Sequence, residues 1–549
     1  MKIAYIAYIA YRRAGDSTRV RSTLAVIVAS FACVACVALS LFASTELQAK
    51  SFRWSSRADV FSMDPHSTNN GFNNTISSYV YEPLVIRGKT MAIEGALAVS
   101  WLPVDATTMR FKLRDKVKFH DGAAFSADDV VFSITRALEK TSDFSEYMQG
   151  IKGAKKIDAL TVDIVSDVQN PTLLDQLTEI RIMNQAWAQK HNVLRPQDYK
   201  NGEETYTARN ANGTGPFILK SREPDVKTVM IVNPNWWSKI DGAITEVIYR
   251  PIKSDATRVA ALITGELDLV LDPPVQDLAK LKENKDIKIL EGNENRTIFL
   301  NFDQSRDELL YGSKGKNPFK DIRVRQAMLL AIDVNAIHKT VMRGLSLPTM
   351  SIIAPQVRGY TKDVEKRPAV DLVRAKKLMA EAGLANGFDV TFDCPNDRYI
   401  NDIQICSAIA AMLAKIDIRA RLNAMPATLF LPKIQKSDTS LYLLGWGVPT
   451  FDSLNPLQSL LRTKTKGTDG NFNFSGYSNA KVDALVEKLK TETDFKKRAD
   501  LTREALLLDQ ADVGHIPLHH QVIPWAMRKN VTVVHRSDNG MWARWAVIN

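Results

Sequence analysis

The run Met109–Leu138, MRFKLRDKVKFHDGAAFSADDVVFSITRAL, decides how the rest of the chain is read. Met109, Phe111 and Leu113 alternate with Arg110, Lys112 and Arg114, the two-residue period of a strand with one apolar face. Asp115-Lys116 allows a reversal. Val117 and Phe119 then alternate with Lys116, Lys118 and His120, which predicts the second arm of a hairpin. Asp121-Gly122 is a turn dipeptide, because glycine accepts positive φ without steric cost. Ser126-Ala127-Asp128-Asp129 opens a helix with a capping-box pattern, and Val130, Ile134, Ala137 and Leu138 form its apolar stripe. The stretch reads as a hairpin feeding a capped helix. It holds no catalytic pattern.

Composition bounds the alternatives. A chain of 549 residues, 45% hydrophobic and 24% charged, has the ordinary balance of a globular protein and allows two or more packed units. Lysine plus arginine exceed aspartate plus glutamate by 72 − 61 = 11. The excess is spread along the chain, with no basic block interleaved with aromatics, so a nucleic-acid partner is not expected. Residues 1–49 read as a signal peptide. Lys2, Arg12, Arg13, Arg19 and Arg21 precede the apolar run Leu24–Phe42, and Leu47-Gln48-Ala49 ends it with a small residue at a cleavage point. An uncleaved anchor or a lipidated Cys33 or Cys36 is the competing reading. The mature chain then begins near Lys50 and keeps two cysteines, Cys394 and Cys406. Export of such a chain suggests a disulfide between them, with two buried free thiols as the alternative.

Phe111, Leu113, Arg114, Val117, Phe119, Asp121-Gly122, Phe125, Ala127 and Asp129-Val130 together resemble the signature of the family 5 solute-binding proteins, the extracytoplasmic receptors of ABC importers. Further runs are similar to the same family along nearly the whole mature chain. They include Ser62-Met63-Asp64-Pro65-His66, Tyr81-Glu82-Pro83-Leu84, Gly213-Thr214-Gly215-Pro216-Phe217, Asn233-Pro234-Asn235-Trp236-Trp237 and the Asp-capped helix at Phe319–Ala327. The resemblance implies a two-lobed α/β fold of the type II periplasmic-binding-protein kind, with mixed sheets, an enlarged first lobe and a two-segment hinge. The first lobe is expected over 50–295 with 520–549 returning to it, and the second over 296–519. One crossing is expected just before the apolar strand Thr297–Asp303, and the return near Pro517–Gln521.

The implied function is capture of a small solute, a short peptide first, for an ABC permease in the inner membrane, by a monomer in the periplasm. Sugars, opines and metal chelates are the alternatives, with an exported chaperone or enzyme behind them. No cofactor, resident metal or catalytic step is implied. His515, His519 and His520 are the densest histidine group, with 515 and 519 expected on one strand face and 520 on the other. That is poor geometry for a metal. Neither H-E-x-x-H nor G-x-S-x-G occurs.

Ligand contacts are expected at five positions. Trp446, in Leu443-Leu444-Gly445-Trp446-Gly447, resembles the family's cleft tryptophan and offers a flat apolar wall. Arg398, on the loop after the strand Asp389–Phe392, resembles an arginine that meets the ligand carboxylate in dipeptide receptors. A Cys394–Cys406 bond would hold that loop rigid. In peptide-binding members an Asp three residues after the tryptophan pairs with the ligand amine. Pro449 stands there, so Asp452 is the candidate substitute and the demand for a free amino terminus is expected to be weaker. Asn70 and Phe72, in the polar loop Asn69–Asn74, are candidate cleft-edge contacts.

Overall fold

The computed structural model describes residues 50–467 and 469–549. The signal-peptide reading of 1–49 lies outside them. One mixed sheet runs through the fold. Its strands follow the order Ile418–Met425, Phe388–Pro395, Leu441–Gly447, Ile287–Phe302, Ile516–Arg528, Leu269–Leu271, Lys50–Ser56, Ile244–Pro251, Lys227–Val232 and Phe217–Glu223. The short strand Ser346–Pro348 adds to Ile516–Arg528.

Two long antiparallel strands join the halves of this sheet. Ile287–Asn293 pairs with Val522–Arg528, and Thr297–Leu300 pairs with Ile516–His520. Between them the register shifts at Asn293/Thr297. A bulge here leaves extra residues unpaired and bends the strand. On one side lie strands from residues 50–271, and on the other strands from 388–447. The strand expected from Thr297 therefore begins ten residues earlier, at Ile287. The polar run Glu291–Arg296 hides the continuation from a hydrophobic-pattern reading, because those residues are fixed by pairing with a distant strand.

The opening stretch forms the middle of a second sheet, ordered Ala98–Pro103, Thr108–Leu113, Thr161–Ser166, Ile151–Asp158. Phe111 and Leu113 are buried, while Arg110 on the other face pairs with Asp163 at 2.7 Å. The reversal occurs at Lys116, whose φ is +61°. The predicted second arm does not form a strand. Thr108–Leu113 is already paired on both sides, and residues 117–125 close on themselves through one bridge, Lys118 to Ala124, around Gly122 at φ +90°. Val117, Phe119 and Phe125 are buried against the helix Ala127–Ala137 instead. That helix has the expected cap. Ser126 accepts from the Asp128 N–H, and Asp129 returns a bond to the Ser126 N–H at 2.9 Å, a device worth about 1 kcal/mol.

Asp321 caps Ile322–Ala331, and Asp371 caps Leu372–Glu381, where Ala375 and Met379 face the core. Deep in the fold, Asp64 and Arg136 form a fully buried pair at 2.5 Å. His66 accepts from Arg136 at 3.1 Å and meets the Arg181 carbonyl at 2.9 Å. Among the described residues no helix is long and apolar enough to cross a membrane.

Candidate functional site

Three strand ends and a loop build the site. Lys50–Ser56 and Leu269–Leu271 run parallel, with Trp54 opposite Leu269 and Ser55 opposite Val270. Arg57 and Asp272 directly follow these strands, each two residues beyond the second pair, and the Arg57 charge acts on the Asp272 carboxyl. Strand ends of open α/β sheets are where ligands sit. Asp272 has φ +50°, and its buried Oδ1 accepts no hydrogen bond. Burial pushes its carboxyl up from the ordinary value, against the pull of Arg57, Arg258, a hydrogen bond from Asn539, and Arg296. Arg57 is half-buried, yet makes no hydrogen bond and no ion pair within 4.0 Å among the described residues.

The bulge adds the next group. Glu294 accepts from Arg296 at 3.2 Å. Burial raises the Glu294 carboxyl, and Arg296 opposes it. Asn295 ties the bulge to both neighbours, donating its side-chain amide to the Val448 carbonyl at 2.6 Å and its backbone N–H to Ser537 at 2.8 Å.

On the far side, the strand Phe388–Pro395 runs into the loop 396–401 and then the helix Asp402–Ala414. Asp402 gathers the backbone N–H groups of Arg398 and Tyr399 at 3.0 and 3.1 Å. Arg398 Nε donates to Tyr399 Oη at 2.9 Å. The same oxygen accepts the Gly445 N–H at 2.8 Å and donates to the Gly445 carbonyl at 3.3 Å. A Cβ on Gly445 would stand 2.7 Å from the Tyr399 ring, so this approach requires glycine. Arg398 is thereby braced against the strand Leu441–Gly447, which carries Trp446. Among the described residues no carboxylate lies within 4.0 Å of its guanidinium. Asp402 holds the loop backbone, not the charge, and Asp397 caps Ala427 at 2.7 Å. A disulfide joins Cys394 at the strand end to Cys406 in the helix, with Cα atoms 6.5 Å apart.

Trp446 is half-buried. Its Nε1–H donates to Asn455 at 3.0 Å, and its ring meets Phe472 edge-on at 4.7 Å. Asp452 offers no free carboxylate. It is buried and held by Arg498 at 2.5 Å and Arg358 at 3.3 Å, so both of its oxygens are already matched by cations. Asn70 spends its side-chain oxygen capping the helix Gly71–Val80, and Phe72 packs on Trp54 and Tyr249 at 5.9 and 5.0 Å. Asn70 and Phe72 thus serve the fold as a helix cap and an aromatic anchor.

The histidines do not share a strand face. His515 precedes the strand and pairs with Asp509 at 2.8 Å. His519 is buried with neither ring nitrogen partnered, and His520 bonds Thr297 and Glu365 at 2.9 and 3.2 Å. Among the described residues no group of three or more His, Cys, Asp or Glu could hold a metal. A cavity of about 340 Å³ lined by Trp187, Tyr206, Arg209 and Arg222 shares none of the site's residues, and its arginines are paired with Glu204 and Asp59.

Sequence reasoning missed Arg57, Asp272, Glu294, Arg296 and Tyr399. Asp272 carried the one local signal, a strand-end acid before Pro273-Pro274.

The comparisons agree with this architecture. The chain is 27% identical to heme-binding protein A of Haemophilus influenzae, covering 82% of this chain and 83% of that one. It is 26% identical to the dipeptide-binding protein of Escherichia coli, covering 90% and 94%. The periplasmic binding protein DppA of Helicobacter pylori, solved with the peptide STSA, superposes with a TM-score of 0.78 at 24% identity over 90% of this chain and 97% of that one. That shared shape is the two-lobed α/β fold with a mixed sheet. The model of the bacterial extracellular solute-binding proteins, family 5, matches residues 92–468, and the chain belongs to that family.

Proposed function

We propose that this solute-binding protein captures a short peptide or peptide-like solute by a carboxylate and delivers it to an ABC permease. The observation that carries the reading is Arg398. Its guanidinium is braced by Tyr399, its loop is held by Asp402 and the disulfide, and no acid among the described residues answers its charge. A guanidinium grips a carboxylate through two parallel hydrogen bonds. Trp446 on the adjoining strand supplies the apolar wall. Dipeptide-binding and peptide-complexed relatives favour a peptide over other solutes. The protein acts as an exported receptor and not as an enzyme, its mature chain starting near Lys50, which N-terminal sequencing of secreted material checks.

The two lobes divide as 50–295 with 520–549, and 296–519. The segments Ile287–Phe302 and Ile516–Arg528 are the hinge, and the bulge at Asn293/Thr297 is its flexing point. Native mass spectrometry of the purified mature protein identifies the co-purifying solute. Calorimetry with that solute then tests the clamp: Arg398→Ala weakens binding at least tenfold while the melting temperature stays put. Equal affinity removes the carboxylate clamp.

A further inference from the structure

Three polar groups near the strand ends have no hydrogen-bond partner among the described residues: the Arg57 guanidinium, Asp272 Oδ1 and the terminal nitrogens of Arg398. Asp272 Oδ1 is buried, and a buried polar atom left unmatched calls for an explanation, which a ligand group supplies; the two half-buried guanidinium groups are open to the same ligand. Arg258 and Arg296 also act on the Asp272 carboxyl, but each has an acid of its own. Glu294 is answered by Arg296, and Arg258 by Asp255 at 2.5 Å. That leaves Asp272 and Arg57, one acid and one base without an ion-pair partner among the described residues, each directly following one of the parallel-paired strands Lys50–Ser56 and Leu269–Leu271. Arg57 also acts electrostatically on Asp402, the residue that holds the Arg398 loop.

We propose that Asp272 and Arg57 together read an α-amino-acid head group, Asp272 taking the ammonium and Arg57 the carboxylate on the same carbon, while Arg398 takes a second carboxylate at the far end of the ligand. This rests on the carboxylate reading of Arg398 and goes beyond it. An ordinary linear peptide presents an ammonium followed by an amide, which leaves Arg57 unanswered. A solute linked through its side chain keeps ammonium and carboxylate on one carbon and answers both. The role expected of Asp452 thus moves to Asp272, on a different strand, because Asp452 is occupied by Arg358 and Arg498.

Two isomeric probes separate the readings: γ-glutamylglycine and α-glutamylglycine have the same composition and net charge, and only the first keeps the amino-acid head group. Calorimetry on the mature protein is expected to find the γ isomer bound at least tenfold more tightly. Asp272→Asn and Arg57→Gln are each expected to lose at least tenfold for the γ isomer with unchanged melting. Equal affinity for the isomers, no binding of either at millimolar concentration, or wild-type affinity in both variants overturns the proposal. If the γ preference and both losses hold but Arg398→Ala binds as wild type, the head-group site stands and the carboxylate clamp falls.

Discussion

Arg358 donates to Asp175, a residue 183 positions earlier in the chain, and shares its other contact with Asp452. The helix Leu173–Leu177 carries Asp175, and Arg87 grips the same carboxylate at 2.5 Å. Arg87 also donates to the Thr450 carbonyl at 2.7 Å and lies over the Phe451 ring at 4.7 Å. Under the proposed division Arg87 and Asp175 belong to the first lobe, and Arg358, Thr450 and Asp452 to the second. The chain Arg87–Asp175–Arg358–Asp452–Arg498 is then a string of alternating charges that runs from one proposed lobe to the other.

Arg358→Gln cuts that string at its crossing and leaves both acids paired, Asp175 to Arg87 and Asp452 to Arg498. The side chain is 39% exposed, so its loss costs only about 1 kcal/mol of stability. Closure is expected to change more than stability. The radius of gyration of the unliganded protein, measured by X-ray scattering, increases in the variant and returns to the wild-type value on ligand saturation. An unchanged unliganded profile shows that Arg358 does not hold the lobes together.

Gly445→Ala tests the brace behind Arg398. The new methyl meets the Tyr399 ring at 2.7 Å and Ile298 Cδ1 at 2.6 Å in a strand paired on both sides. Overpacking of this kind costs about 1–3 kcal/mol. Tyr399 must move, and Arg398 moves with it. Affinity for the co-purifying solute should fall at least as far as in Arg398→Ala. Unchanged affinity would show that the Tyr399 contact does not position the guanidinium.

The disulfide closes the loop that carries Arg398. In the chain-entropy account, closing a loop of this size stabilises by about 3 kcal/mol, here across a sequence separation of 12. Thiol labelling of the unreduced, denatured mature protein should find no free thiol. The double variant Cys394→Ser with Cys406→Ser should melt lower and bind the solute more weakly, with Arg398 on a looser loop. Equal melting and binding would make the bond incidental.

Local order was legible in the sequence wherever it depends on neighbours in the chain. The cap at Ser126, the alternation at Phe111 and Leu113, and the strand–loop–helix around Arg398 all follow from residues within a few positions of one another. The family signature extended this to the fold. Charges matched over long range were not legible. Asp452 reads as free until Arg358 and Arg498, 94 and 46 residues away, are folded onto it. Arg57 and Asp272 become neighbours only through strand pairing, and pairing register is set by the whole sheet, not by either segment. The capping and packing roles of Asn70 and Phe72 were not legible for a different reason: a polar, glycine-containing run serves a helix cap as well as a ligand.

The histidines make stability fall toward acid. His66 is pulled down to about 3 by burial and by Arg136, and His519 to about 3 by burial and by His520 and His338. Both are neutral in the folded protein and titrate near 6.5 once unfolded. Between about pH 6.5 and 3 the unfolded chain therefore binds more protons, and stability drops as pH falls through that window. Each histidine contributes a slope of about 1.4 kcal/mol per pH unit. His519 is the cleaner probe, because neither of its ring nitrogens has a partner to lose. An apolar residue there also removes the cost of burying unmatched polar atoms. His519→Leu should thus melt no lower than wild type at pH 7.5 and clearly higher at pH 5, where wild type has already lost part of its stability. Melting curves followed by circular dichroism at the two pH values decide it: an equal drop in both proteins would mean that His519 is not among the groups whose protonation unfolds the chain.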